Sequence, residues 1–129
     1  MENKQKTILV DAMNTLVVDG QVDQEMKKIL DGFSNRKIIL TNANPEQQAA
    51  GLKDMPYEMF SLDHNPNKAD GGYYEKMLET CELRPEDCIY FEHNQKAVDM
   101  AKETGINSYY FNLNERNLKK LEEFLKDNL

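Results

Sequence analysis

The stretch Ile8-Leu9-Val10-Asp11-Ala12-Met13-Asn14-Thr15-Leu16 opens with an apolar, β-branched run that ends abruptly in a carboxylate and a polar turn. The run is short for a helix and has polar residues on either side, which marks a buried parallel strand. In an open α/β sheet, ligands meet the crevice at the carboxyl ends of the strands. Asp11 therefore stands where a catalytic carboxylate would stand. An aspartate in that place also serves simply to cap a strand or the turn that follows it.

Outward from this strand the pattern alternates. Thr15 to Val18 is a short extended piece closed by the Asp19-Gly20 turn signal. Asp23 suits the N-cap of a helix over about 24–33, in which Met26, Ile29, Leu30 and Phe33 make one apolar stripe. Lys37 to Thr41 reads as a second buried strand. Asn44-Pro45 then opens a short helix that ends near Gly51. Tyr57 to Leu62 is a weaker third strand, and a polar loop from Asp63 to Gly72 carries Lys68. Tyr74, Met77, Leu78 and Cys81 share one face of the next helix. Cys88 to Phe91 is a fourth strand, ending in Glu92-His93-Asn94. Asn94 suits the cap of a helix that turns Ala97, Val98 and Ala101 inward and stops at Gly105. Asn107 to Phe111 is a fifth strand. A last helix from about Glu115 buries Leu118, Leu121, Phe124 and Leu125. This alternation predicts a three-layer, Rossmann-like α/β fold, with about five parallel strands flanked by helices. Its 129 residues, with no repeat or linker, are expected to form one domain.

The net charge of −7 disfavours a nucleic-acid-binding role. Apolar runs of about five residues give no membrane-spanning helix. The polar segment Met1 to Lys6 has no signal-peptide core, so a cytoplasmic protein is expected. Cys81 and Cys88 fit no redox or zinc spacing and read as core or near-surface residues.

Three strand ends and one loop supply polar residues: Asp11, Thr41 with Asn42, Glu92 with His93 and Asn94, and Lys68. A parallel sheet brings such strand ends to one edge. Two carboxylates there can hold a hard cation such as Mg²⁺. A hydroxyl, an amide and an ammonium can surround a phosphoryl group, whose transfer needs charge neutralisation and positioning. An aspartate can also be the nucleophile.

On these residues the chain resembles the haloacid dehalogenase-like (HAD) hydrolases over nearly its whole length. The family's first motif, a strand followed by Asp-x-Asp-Gly-Thr-Leu, stands here as Asp11-Ala12-Met13-Asn14-Thr15-Leu16. The second, a strand ending in Thr or Ser, matches Ile38-Ile39-Leu40-Thr41-Asn42. The third, Lys-Pro-Asp before a helix, matches Lys68-Ala69-Asp70. The fourth, a strand ending in acidic residues, matches Ile89-Tyr90-Phe91-Glu92-His93-Asn94, with Ala101 to Gly105 behind it. The resemblance implies Asp11 as nucleophile and metal ligand, and the Met13 carbonyl and Glu92 as further ligands of Mg²⁺. It implies Thr41 and Asn42 as phosphate-binding residues and Lys68 as the catalytic cation.

The departures from the family pattern are equally specific. Met13 replaces the aspartate that protonates the leaving group and activates water, a loss of about 10²–10⁴-fold where such help is used. Asn14 replaces glycine, Ala69 replaces proline, and Glu92-His93 replaces the acidic pair. Glu92 is one methylene longer than aspartate, which is expected to distort the metal site. Neither gap between motifs has room for a cap domain, so a dehalogenase acting on a small organic substrate in an open, wet site is disfavoured. Two readings stay open: a capless, weakly active phosphohydrolase, or a non-catalytic relative that binds a phosphate or a partner protein. A phospho-receiver domain is disfavoured, because it places an acidic pair after the first strand and its phosphorylated aspartate after the third. The expected partner is a phosphorylated small molecule or macromolecule, with no nucleic acid and no membrane. An oligomer through the last helix stays open. His93 reads first as a partly exposed residue at the start of a helix, and second as a rescuing acid or base. His64 reads as plain loop.

Overall fold

The computed structural model describes residues 6–42, 57–62, 66–70 and 72–129. Its elements are β1 (Thr7–Asp11), β2 (Val17–Val18), β3 (Gln21–Val22), α1 (Gln24–Asp31), β4 (Lys37–Thr41) and β5 (Glu58–Ser61). They continue with α2 (Tyr73–Thr80), a 3₁₀ turn (Pro85–Asp87), β6 (Cys88–Glu92), α3 (Gln95–Glu103), β7 (Asn107–Tyr110) and α4 (Leu118–Asn128). The helix expected after Asn44-Pro45 and the loop residue His64 lie outside the described residues.

Five strands form one parallel sheet in the order β5-β4-β1-β6-β7. The fold is thus the α/β sheet expected from the alternation. Period-two side-chain alternation splits the core into two layers. Ile8, Val10, Ile39, Ile89 and Phe91 point to one face, where Met26 and Leu30 of α1 and Leu121 and Leu125 of α4 cover them. Leu9, Ile38, Leu40, Cys88 and Tyr90 point to the other face, under Tyr73, Tyr74, Met77 and Leu78 of α2 and Ala101 of α3. All five residues of β1 are buried, as the central strand requires.

The chain leaves β1 towards β4 and β5 on one side, then returns to lay β6 and β7 on the other. That reversal makes a topological switch point beside β1, where the crevice of such a sheet opens. In register, Val10 faces Phe91 and Asp11 faces Leu40. The carboxyl ends of β1, β4 and β6 therefore meet at one edge.

Three local features depart from the sequence expectations. The Asp19-Gly20 turn closes a β2–β3 hairpin, with both turn residues at positive φ (52° and 76°), the backbone of a two-residue primed turn. The first helix ends at Asp31, two residues early. The last helix starts at Leu118 rather than about Glu115, because the Asn117 side chain accepts the Lys120 N–H and fixes the cap there. Two expected caps are in place: Asp23 accepts from Glu25 and Met26 N–H, and Asn94 from Lys96 and Ala97 N–H. Cys81 is half-buried and Cys88 is buried, both as free thiols. Among the described residues no helix is long and apolar enough to cross a membrane.

Candidate active site

Asp11 ends the central strand and is 1% exposed, while Glu92 ends the neighbouring strand and is fully buried. Isolated carboxylates at that depth would be costly, and buried charges are retained when paired. Lys68 supplies the pairing. Its Nζ lies 2.5 Å from Asp11 Oδ1 and 2.7 Å from Glu92 Oε1, and donates to the Leu40 carbonyl at 3.1 Å. The lysine reaches this place because its own backbone N–H donates to Asn42 Oδ1 at 2.8 Å. Asn42, at the end of β4, thus positions the cation.

The second oxygen of Asp11 has different partners. Thr15 Oγ1 donates to Oδ2 at 2.6 Å, and His93 Nδ1 lies 2.5 Å from it. Glu92 Oε2 accepts the backbone N–H groups of His93 and Asn94 at 3.0 and 3.1 Å, with His93 Nδ1 at 3.2 Å. Behind Glu92, the Tyr90 hydroxyl donates to Oε1 at 2.5 Å, and the Tyr74 hydroxyl stands 3.2 Å from that of Tyr90. Each carboxylate therefore gives one oxygen to the ammonium and turns the other to the imidazole.

The electrostatics follow from this geometry. Burial alone would raise the Asp11 carboxyl, but Lys68 and hydrogen bonds from His93 outweigh it and hold the group well below the usual carboxylate range. Burial would lower the Lys68 ammonium, yet Asp11 and Glu92 raise it. His93 is pushed up to about 9, first by its hydrogen bond to Asp11 and then by that to Glu92. Burial pushes the Tyr90 phenol well up, so it remains a donor. The site is thus a charged cluster, with its solvent side at His93, whose side chain is 23% exposed.

No family model matches the sequence, and no curated protein matches it. Eight solved chains match its structure. One is described as an "NMR structure of the core domain of, a putative phosphoglycolate phosphatase from Streptococcus pneumoniae TIGR4". It superposes with a TM-score of 0.64 at 15% identity, over 96% of this chain and 97% of that one. The chain has a HAD-like fold.

Within the HAD-like fold, the residues quoted for the four motifs fall as follows. Asp11, Lys68 and Glu92 come together as above. Thr41 is buried at the end of β4; its carbonyl accepts the Tyr73 hydroxyl at 2.8 Å. Asn14 adopts φ 67°, a left-handed conformation natural to glycine and tolerated by asparagine. That accounts for Asn14 at the glycine position. Its N–H donates to the Val17 carbonyl at 2.7 Å, closing the loop. Met13 is half-buried and packs against the core layer of α1 and α4. An apolar thioether thus stands two residues after Asp11.

Two residues were not assigned to the site from sequence. His93 is not merely a residue at the start of a helix: its main-chain N–H and its ring both reach Asp11. Arg116, at φ 40°, donates to the Asn14 and Thr15 carbonyls at 2.9 and 3.0 Å and pairs with Asp23 at 2.7 Å. It clamps the loop that follows β1. Nothing in its own neighbourhood of sequence marks it, since its partners lie about a hundred residues away.

Asp11, Glu92 and His93 offer ligand atoms that all lie within 4.8 Å of one another. Two carboxylates and an imidazole suit a divalent cation, so this donor set fits a metal ion.

Proposed function

We propose that the chain is a capless HAD-like phosphohydrolase-type domain with Asp11 as nucleophile. The observation that carries this reading is the state of Asp11. It is buried at the carboxyl end of the central strand, with Lys68 Nζ 2.5 Å from Oδ1 and His93 Nδ1 2.5 Å from Oδ2, a setting that favours its carboxylate form. A carboxylate oxygen of Asp11 attacks phosphorus, the bond from phosphorus to the leaving oxygen breaks, and an aspartyl-phosphate forms. Water then cleaves the acyl-phosphate bond and releases phosphate. Lys68 sits beside Asp11, where it neutralises phosphoryl charge, and Thr41 at the end of β4 lies in the same edge. Asn42 serves by anchoring Lys68 through its side-chain oxygen and, through its amide nitrogen, as a phosphate donor. When bound by Asp11, Glu92 and the Met13 carbonyl, Mg²⁺ or a related cation would supply further charge neutralisation.

Met13 cannot protonate a leaving group, which favours substrates that need no protonation, such as acyl phosphates and nitrophenyl phosphate. Turnover on alkyl phosphates is expected to be weak, by about 10²–10⁴-fold. The substrate is then a phosphorylated small molecule, or a macromolecule presented to an uncapped site.

A second reading is a non-catalytic relative that binds a phosphate group or a partner. It is favoured by the full internal pairing of both Asp11 oxygens together with the apolar residue at position 13. The test is turnover of acetyl phosphate and p-nitrophenyl phosphate with added divalent cation, and mass spectrometry of Asp11. Turnover or a phospho-adduct that disappears in Asp11→Asn supports the hydrolase. A well-folded protein with neither makes binding the better description.

A further inference from the structure

Lys68 occupies Asp11 Oδ1 and Glu92 Oε1, which leaves Oδ2 and Oε2 facing His93. Nδ1 of His93 is 2.5 Å from Oδ2 and 3.2 Å from Oε2. Around an octahedral ion with bonds of about 2.1 Å, adjacent ligands stand about 3 Å apart. The Nδ1 to Oε2 separation is already that of such an edge, and the Nδ1 to Oδ2 separation needs to open by about half an ångström. Main-chain bonds fix the ring's origin here, because the His93 N–H donates to Oε2 at 3.0 Å and to Oδ2 at 3.3 Å. The nitrogen is thus a built-in third donor.

That changes the class of ion the site suits. Mg²⁺ prefers an all-oxygen shell and keeps several waters, whereas imidazole suits Zn, Ni, Fe and Cu. We propose that the centre takes a divalent transition-metal ion in preference to Mg²⁺, with His93 Nδ1 as a direct ligand beside the Asp11 and Glu92 carboxylates. The inference rests on the phosphoryl-transfer reading above, whose cation it specifies. Lys68 keeps Oδ1 and Oε1, and Thr15 keeps its hydroxyl 2.6 Å from Oδ2. Ligation uses the Nδ1 lone pair, so the ion takes the place between the ring and the Oδ2 of Asp11.

The experiment uses the full chain after chelator treatment. MgCl₂, MnCl₂, CoCl₂ and ZnCl₂ are titrated by calorimetry, and imidazole ¹⁵N resonances are followed with ZnCl₂. Transition ions bind oxygen sites tightly as well, so the deciding readout is the His93 ring. The chain holds two histidines, His64 and His93, which makes assignment direct. Expected are a shift of His93 Nδ1 at one equivalent of Zn²⁺, and a loss of about tenfold or more in Co²⁺ affinity in His93→Asn with Mg²⁺ affinity little changed. Mg²⁺ binding as tight as Co²⁺, a silent His93 resonance while metal binds, or no binding to the folded protein would each overturn the proposal. Acetyl phosphate labelling of Asp11 is measured in parallel. Labelling with a silent His93 ring removes this inference and keeps the phosphoryl-transfer reading. Ligation at His93 with no labelling under any cation keeps the inference and removes that reading.

Discussion

Replacing Lys68 by methionine keeps most of the side chain's bulk and removes its charge. The ammonium bridges Asp11 and Glu92 at 2.5 and 2.7 Å with a side chain 8% exposed. Without it, among the described residues the two buried carboxylates retain only His93 as a cationic partner, and the Leu40 carbonyl loses the Lys68 donor. Removing one partner of a buried ion pair costs about 3–5 kcal/mol. At pH 7 with chelator present, Lys68→Met should unfold in urea about 2 M earlier than the wild type, taking a slope of about 2 kcal/mol per M. The pH dependence gives a second, independent sign. In the wild type the Asp11 carboxyl is depressed below 3.8, so its stabilisation is present above that pH and is lost as pH falls through the lower folded value. In the variant the dominant influence left is burial, which raises the carboxyl. The variant then takes up protons on acidification and regains stability between pH 7 and about 5. Urea melts at pH 7 and pH 5 measure both effects. A loss below about 1 kcal/mol at pH 7, or a gap that does not narrow at pH 5, would refute the assignment of Lys68 as the cation that keeps Asp11 ionised.

Other outcomes follow from the same cluster. His93 is raised to about 9, so its stabilisation is complete below about 6.5 and disappears as pH climbs through 9. With the ring partly exposed, about 1–2 kcal/mol is expected to vanish between pH 7 and 10 in chelator, and a flat profile is expected in His93→Asn. Met13→Asp should raise turnover of an alkyl phosphate by about a hundredfold while changing acetyl phosphate turnover little, because only the former needs a proton on its leaving oxygen. Steady-state kinetics on the two substrates tests this. Arg116→Ala should cost about 1–3 kcal/mol and speed amide exchange at Asn14 and Leu16. Arg116→Lys should not restore the loop, since one ammonium cannot span two carbonyls and the Asp23 carboxylate.

The strands and both of the confirmed helix caps were legible because their signals are local. A short strand such as Lys37–Thr41, with Ile38, Ile39 and Leu40 at its centre, or Asp23 before an amphipathic stripe, carries its own explanation. Asp11, Lys68 and Glu92 were legible as candidates through their places at strand ends and in the motif pattern. His93 was legible only as a strand-end residue with an acid or base role as its second reading, and Arg116 was not legible at all. The ring of His93 acquires its meaning only when β6 lies beside β1, and Arg116 acts on carbonyls that carry no side-chain signature. The hairpin of β2 and β3 was within reach, since Asp19-Gly20 is a strong turn signal, but its strands have only two residues each and too little pattern to be seen.

The strand order has a consequence for a chain made from its N-terminus. In the finished sheet β1 is central, flanked by β4 and β6. During synthesis it can pair with β4 early, but β6 follows it by more than half the chain, a delay on the order of ten seconds at about 5–20 residues per second. Through that interval a strand that is fully buried in the finished protein is an open edge, with unpaired N–H and C=O groups available to any neighbouring strand. Asp11 at its tip waits for Lys68 and His93 over the same interval, so the ionised carboxylate is hydrated then and keeps that end of the edge wet. The charge that later organises the site serves, on the nascent chain, as a guard against mispairing.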